Sequence, residues 1–365
     1  MKTKLAVAIS LSLLAGSTFA APAIYGEIDA SVDYLPENNS GKADRDTWEV
    51  NSNSSFIGIK GEEKLTDRLD AVYGIEWTFY TDGDKSDFDQ RNRFVGLKDA
   101  KFGTLKIGKH DTPLKQLSST VDTFNNYVGN TADITGIMTG ENRLDNVVVY
   151  ESPVIALPSG TVKFNGLLAS GENSGIKKSS GGVKAGTTDA YSASIVYDNK
   201  VVVAGLGYDH AVPSNFAGRG FLNASAPELG GKAIFAAADT ARAVGRLNLN
   251  GGLSLKALYQ TSEVNDDVGN DAAASNIDDA QGWLVGAEYN LPTAKAWTLK
   301  AQYSQNITSF KKGVEDFEAN QVFVGADYAF NKQVKAYGHA GFLTLEQGNL
   351  EDKQPVVGTG LEFKF

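Results

Sequence analysis

Few residues in this sequence have the chemistry needed for catalysis or metal binding. The chain has three histidines, His110, His210 and His339, and no cysteine. Without cysteine there are no thiolate ligands, thiol nucleophiles or disulfides. None of the histidines lies in a recognisable catalytic motif, such as the Ser/His or Asp/His groups of hydrolases. The sequence therefore predicts no enzyme, no metal site and no cofactor.

The charge balance narrows the possible partners. The chain carries 34 basic and 44 acidic side chains, a formal net charge of −10. Nucleic-acid binding needs a basic footprint, so this balance argues against it.

The first twenty residues have the pattern of an export signal. Lys2 and Lys4 precede an apolar run from Leu5 to Ala15, and small residues follow around Ala20. The run is shorter than the roughly 18 residues that a membrane-spanning helix needs, although a short anchor is the alternative. We therefore predict a signal peptide over residues 1–20, cleaved after Ala20.

The rest of the chain alternates between apolar and polar residues with a period of two. In the run Ile24–Tyr34 every even position is apolar or Gly, and Trp297–Ser304 repeats the pattern. Such alternation indicates strands with one apolar and one polar face. We count sixteen strands, each of about the ten residues that a tilted membrane strand needs. They are expected at 24–34, 54–62, 69–80, 91–98, 103–110, 143–150, 161–170, 189–198, 200–209, 240–249, 252–261, 282–291, 296–306, 319–330, 332–343 and 354–365.

The connections between these strands alternate in length. Short turns, such as Asn250-Gly251 and Asn331-Lys332, take turns with long polar segments, such as 111–142 and 210–239. This sorting is typical of outer-membrane barrels, with short turns at one end and long loops at the other. A soluble β-sandwich, the alternative, would not sort its loops in this way. The fold prediction is all-β: a transmembrane antiparallel barrel of sixteen strands over residues 21–365.

Short motifs in this order resemble the trimeric general-diffusion porins of Gram-negative bacteria. The matching segments are Ala23-Ile24-Tyr25-Gly26, Ile57-Gly58-Ile59-Lys60-Gly61-Glu62-Glu63, Arg93-Phe94-Val95-Gly96-Leu97-Lys98, Phe102-Gly103-Thr104-Leu105-Lys106-Ile107-Gly108-Lys109, Asn142–Pro153 and the terminal Leu361-Glu362-Phe363-Lys364-Phe365. The resemblance implies a water-filled channel in the outer membrane for passive diffusion of ions and small polar solutes. A substrate-specific channel and, less favoured, an adhesin with host-binding loops are the alternatives.

The resemblance also implies which residues line the narrowest part of the channel. In the family the third loop folds into the lumen as a constriction, here residues 111–141. Arg91 and Arg143 match the basic residues of the constriction wall in the family, and Arg93 and Lys106 are expected to lie close by and to join them. The candidate acids on the loop are Asp122, Asp133 and Glu141, with Asp111 a weaker one.

The sequence departs from the family in three ways, two of which leave fewer basic residues on the constriction wall. Phe56 stands where the family often has Arg, and Glu27 where it often has a basic residue. The third loop lacks the Pro-Glu-Phe-Gly-Gly signature.

The remaining expectations concern partners. The resemblance implies a homotrimer, with Lys109 near the contact and the acidic second loop, residues 81–90, reaching a neighbouring subunit. The terminal Phe365 matches the signal that the family presents to the barrel-assembly machinery. Outer-membrane lipid and lipopolysaccharide should surround the barrel, and acids in the segment 262–281 could bridge divalent cations to lipopolysaccharide only weakly, since no calcium-loop spacing is present.

Overall fold

The protein is a closed antiparallel β-barrel. The computed structural model describes residues 21–36, 46–85, 88–170, 172, 189–217, 234–265, 274–311 and 313–365. The predicted signal peptide, 1–20, lies outside the described residues, as do Asp87 of the second loop and much of the segment 262–281. No helix among the described residues is long and apolar enough to cross a membrane.

Sixteen strands form the wall in the described parts of the chain, two of them interrupted. β2 is broken at residues 53–55 and β6 at residues 152–154, so each contains two segments. The strands are β1 Ala23–Leu35, β2 Thr47–Ser52 with Phe56–Lys64, β3 Leu69–Thr78, β4 Asp89–Asp99, β5 Gly103–Asp111, β6 Arg143–Glu151 with Ile155–Leu157, β7 Gly160–Ala169, β8 Ala190–Asp198, β9 Val202–Asn215, β10 Phe235–Asn248, β11 Leu253–Val264, β12 Ile277–Asn290, β13 Trp297–Phe310, β14 Phe317–Ala329, β15 Val334–Gln347 and β16 Leu350–Lys364.

Each strand pairs with its neighbours in sequence, and the first strand pairs with the last. Glu27 of β1 lies opposite Lys364 of β16, and the register continues to Tyr34 opposite Val357. Closure of a sheet removes its free edges, which would otherwise leave backbone groups unpaired in lipid. The sixteen-strand prediction is confirmed.

Several strands are longer than predicted. β9 continues to Asn215, whereas its predicted end was residue 209. β10 begins at Phe235, whereas its predicted start was residue 240. The segment Thr47–Ser52 also pairs with β1, inside a stretch predicted as loop. These extensions lie at the end with the long loops. Lipid does not enforce an apolar face on strands that continue beyond the membrane, so the two-residue period that marks a membrane strand fades there.

The third loop, residues 112–142, contains three short helical segments: α1 Pro113–Ser118, α2 Tyr127–Asn130 and α3 Ile134–Ile137. Thr112 caps α1 by accepting a hydrogen bond from the Lys115 backbone N–H, and Pro113 stands in the first turn. Both features are favourable at a helix start. The Thr side chain accepts a hydrogen bond from a backbone N–H that has no partner within the helix, and Pro has no backbone N–H that would need one. Many of the apolar side chains of the loop are fully buried, among them Leu114, Phe124 and Ile134.

Candidate functional site

The wall of the barrel is apolar outside and polar inside. On β1 the side chains of Asp29, Ser31 and Asp33 are buried, whereas Ile28 and Val32 on the opposite face are exposed. The other strands likewise bury polar side chains and expose apolar ones, which is the arrangement of a membrane barrel with a polar lumen. Sixteen strands enclose a lumen too wide for wall side chains to fill. A channel therefore remains unless another part of the chain narrows it.

The third loop bonds to interior-face side chains of strands that are far apart in sequence. The Thr123 backbone donates to Gln302 of β13 at 2.9 Å. The Gly129 backbone donates to Asn53, in the break of β2, at 2.8 Å. The Tyr127 hydroxyl donates to Asp327 of β14 at 2.8 Å, and the Tyr127 ring stacks on Tyr337 with centroids 4.2 Å apart.

Apolar contacts fasten the same loop. Leu117 reaches the backbone of β9 at Gly205 and Gly207, where any larger residue would collide with it. Phe124 packs on Phe323 with ring centroids 5.5 Å apart. The loop is thus fixed by both polar and apolar contacts, and a fixed element is what a selective channel requires of its narrow section.

Arg91 of β4 and Arg143 of β6 lie close to each other. Arg143 Nε lies 3.0 Å from the Asn92 side-chain oxygen and 3.1 Å from an Asp111 carboxylate oxygen. The Arg91 guanidinium lies over the Phe56 ring, 4.7 Å from its centroid, and Nε is 3.8 Å from a Glu76 oxygen. Both arginines keep part of their surface open.

Phe56 explains how a thinner basic wall still holds Arg91. Phe56 lies opposite Glu27 on the interior face. Where the family often places a further arginine, this chain supplies an aromatic surface that stabilises Arg91 by a cation–π contact.

Arg93 does not join this cluster. Between Ile75 and Trp77 the pairing of β3 with β4 shifts by one residue, which forms a bulge at Arg91 and Asn92. Past the bulge Arg93 has the same parity as the exposed Val95, and its guanidinium lies over Trp77 at 5.3 Å. The structure therefore places Arg93 on the outer face, because a bulge reverses which face alternate residues occupy.

Lys106 points inward but has a different partner. Its ammonium binds Glu151 at 2.7 Å and lies 3.5 Å from His110 Nε2. Phe94 lies beside the ammonium, 4.4 Å from the ring centroid. Lys106 thus forms a second ion pair on the same wall, away from the Asp111 carboxylate.

Two of the three predicted loop acids serve the loop itself. Asp133 caps α3 by accepting from the Gly136 backbone N–H at 3.1 Å and also accepts from Asn126. Burial, with the nearby Asp122 and Glu141 carboxyls, raises the pKa of Asp133 well above its usual range. Burial and, to a smaller extent, the Glu141 carboxylate raise the pKa of Asp122 to about 7. The placement of these acids shows no contact with Arg91 or Arg143.

The third predicted acid, Glu141, pairs with an arginine that sequence reasoning missed. That residue is Arg242 of β10, whose side chain is fully buried against the loop. Strand parity would have placed Arg242 inside, but nothing in the sequence links it to Glu141, a hundred residues earlier. The acid nearest Arg143 is instead Asp111, the weakest of the sequence candidates, which also binds Lys115 of the loop at 3.2 Å.

Three carboxylates elsewhere on the interior, Glu27, Asp29 and Glu362, approach within 4.8 Å of one another. Lys335 and Lys364 bind the two oxygens of Glu362 at 2.8 and 2.9 Å. These ammonium groups stand where a cation would bind, so this group is a network of ion pairs.

Comparison with known proteins agrees with this architecture. The pattern of the Gram-negative porin family matches residues 5–348. The chain belongs to the Gram-negative porin family. It is an outer-membrane diffusion channel, and the family indicates a channel rather than an enzyme.

Individual relatives cover almost the whole porin. The major outer membrane protein P.IB of Neisseria gonorrhoeae is 28% identical over 94% of both chains. The anion-selective porin from Comamonas acidovorans superimposes with a TM-score of 0.67 at 20% identity, over 94% of this chain and 99% of that one. The in-vitro folded OmpT of Vibrio cholerae, in its trimer form, gives 0.62 at 16% identity, over 94% and 99%.

A groove of about 700 Å³ with charged residues in its lining lies on the outer face of the porin, between β4 and β7. Lys109, the predicted trimer residue, lies in it, 2.5 Å from Asp145. Arg93 pairs across the strands with Lys109. Two cationic side chains thus lie side by side on this face, together with the acid Asp145.

Phe365 lies at the seam between β16 and β1. Its backbone exchanges two hydrogen bonds with Gly26, both of 3.1 Å. Its ring lies over Gly26 on the outer face, where any side chain on Gly26 would collide with it. The ring also stacks on Phe363 at 6.1 Å and keeps 41% of its surface exposed.

Proposed function

We propose that the third loop lies across the lumen and narrows the channel to a gap beside Arg91 and Arg143. The observation that carries this proposal is the set of bonds from the loop to interior side chains of β2, β13 and β14. A loop that stood outside the barrel could not reach these side chains.

The gap is lined mainly by charges of the wall. Arg91 and Arg143 face it together with Glu76 and Asp111, and the loop contributes Lys115. The loop acids are withdrawn into caps and buried pairs. Three cationic groups thus face two acids at the gap, and a narrow charged gap filters solutes by size and charge.

A planar-bilayer recording with the purified porin tests this function. We expect stable conductance steps, and fluxes of small sugars and amino acids that rise linearly with concentration. A general diffusion pathway has no site to saturate. Saturable flux with competition between solutes would instead support a substrate-specific channel. Absence of conductance would support an adhesin whose loops bind a host.

We also propose that three copies assemble through the groove at Lys109. Lys and Arg on a lipid-facing surface cost about 2–4 kcal/mol each near the membrane centre, so a covered face is favoured. Acids of the second loop, Asp82, Asp84 and Asp89, offer charges complementary to Lys109 and Arg93. The Vibrio cholerae porin above is a trimer, which supports this arrangement.

Native mass spectrometry in mild detergent should give three times the mass of one chain. Lys109→Glu should reduce the trimer fraction, because it places an acid opposite the acidic second loop. Lys101→Glu is the matched control, since Lys101 lies in an exposed short turn. A wild-type protein of monomer mass would contradict the trimer.

The chain is proposed to be made as a precursor whose residues 1–20 are removed. The apolar run Leu5–Ala15 and the small residues around Ala20 motivate this. N-terminal sequencing of protein from purified outer membranes should begin at Ala21. A mature protein that retains Lys2 would refute the cleavage.

A further inference from the structure

Arg242 uses its whole guanidinium to hold the third loop. One terminal nitrogen donates to Glu141 and, at 2.5 Å, to the Ser118 hydroxyl. The other donates to the Thr139 backbone carbonyl at 2.8 Å and to Gln260 at 2.6 Å, and Nε donates to Gln260 at 2.9 Å. The fixed fork of five N–H groups is what allows one arginine to make so many directed bonds.

The loop residues that Arg242 binds come from both limbs of the loop. Ser118 ends α1, in the first limb, whereas Thr139 and Glu141 belong to the last residues before β6. The Ser118 hydroxyl also donates to Glu141 at 2.5 Å, so the two limbs meet at the guanidinium. A single wall residue thereby fixes the start and the end of the loop together.

The neighbouring residues are shaped around this contact. Gly140 has φ +84°, and a side chain there would collide with Leu114 and press against the Arg242 guanidinium. Gln260 and Ser262 of β11 bind Thr139 at 2.7 and 2.5 Å. The wall beside Arg242 thus binds the last residues of the loop through several hydrogen bonds. These bonds all require the loop backbone to lie close to the wall.

Arg242 lies among several acidic side chains. Glu141 lies against it, Asp122 and Asp133 are close to Glu141, and Asp209 of β9 is buried nearby. Lys256 and Lys300, on other strands, are the further cations that face Asp122. Without the guanidinium, Glu141 would remain a buried carboxylate among other carboxyls, which is strongly unfavourable.

We propose that Arg242 is a positioning residue that clamps both limbs of the third loop to the wall and so sets the width of the channel. This inference rests on the proposed constriction for its effect on width, but the clamp itself does not. Arg242 touches no solute in this role; it acts through the loop that it holds.

The absence of cysteine in the chain permits a direct test of the clamp. Ser119→Cys, at an exposed position next to α1, gives a unique site for a nitroxide spin label. In the assembled porin, Arg242→Met should shift the label spectrum toward fast motion. It should also raise the frequency of brief closures in bilayer recordings.

Arg246→Met is the matched control. Arg246 lies four residues away on the same interior face of β10, and in the described part of the chain it has no ion pair with the loop. It should leave the label spectrum at Ser119 unchanged. Arg242→Met with Glu141→Met should restore part of the slow spectrum, because no buried charge is then left unpaired.

The outcomes separate the clamp from the constriction. A label that stays slow in assembled Arg242→Met porin overturns the proposal. If that variant does not assemble, Arg242→Lys keeps the positive charge but loses the fork of directed bonds, and a slow label there is equally contrary. A fast label with unchanged conductance and closures supports the clamp but counts against the loop as the narrow section.

Discussion

Replacing Arg91 and Arg143 together with glutamine is expected to shift the porin toward cation selectivity. Both guanidiniums keep part of their surface open, so ions that pass the gap come close to them. Their removal also leaves Glu76 and Asp111 with fewer cationic partners. A unit charge a few ångströms from an ion contributes about 1 kcal/mol in water, so the permeability ratio should change about five-fold per charge.

The reversal potential in a salt gradient across a planar bilayer measures this shift. It should shrink at high salt, because screening acts within about 8 Å at physiological ionic strength and more strongly above it. Conductance should rise, because two long side chains become shorter. Arg93→Gln is the control: the same strand carries Arg93 on the outer face, so the reversal potential should stay at the wild-type value. An unchanged reversal potential in the double variant at low salt would remove both arginines from the narrow section.

Phe365→Ala is expected to lower the amount of assembled porin in the outer membrane several-fold. The Phe365 ring covers Gly26 at the seam where the first and last strands pair, and its loss leaves that seam uncovered. A loss of one to two kcal/mol is enough to change cellular abundance several-fold. In the family this residue is also part of the signal for the assembly machinery, so both effects act in the same direction.

Quantitative blotting of heat-modifiable porin from outer membranes gives the cellular amount. Refolding of the purified variant into detergent separates the loss of the seam contact from the loss of the assembly signal. No assembly machinery is present in that experiment, so only the seam contact affects the yield. Phe363→Ala is the matched control, because Phe363 shares the outer row and the ring stack, whereas the ring over Gly26 is that of Phe365. Equal amounts of Phe365→Ala and wild type in the membrane would refute the prediction.

The sequence predicted the barrel well because lipid and water act on every second residue. Ile28 and Val32 must face lipid while Asp29 and Asp33 face inward, so the alternation marks each strand and its orientation. The placement of Lys106 on the interior follows from the same rule, whereas Arg91 has the same parity as the exposed Val95 and faces inward because of the bulge in β4. The pattern weakens where the strands leave the membrane.

The predictions of individual site residues fail where the position of a side chain depends on a bulge or on contacts with distant strands. Arg93 lies outside because a bulge at Arg91 and Asn92 interrupts the alternation, and no residue type there announces it. Asp133 is used as a helix cap and Glu141 as the partner of Arg242. A list of acids in a loop cannot distinguish a pore-facing carboxylate from one that holds the loop together, because that choice depends on strands far away in sequence.

The pairing of β1 with β16 has a consequence for the order in which this protein can fold. The partners Glu27 and Lys364 come from opposite ends of the described barrel, so the last contact to form joins residues separated by nearly its whole length. Contacts of such long range are slow to form, since the chain entropy between them must be lost before they contribute. The barrel cannot close while its last strand is still being synthesised, and the polypeptide must remain open and protected from aggregation until that strand arrives.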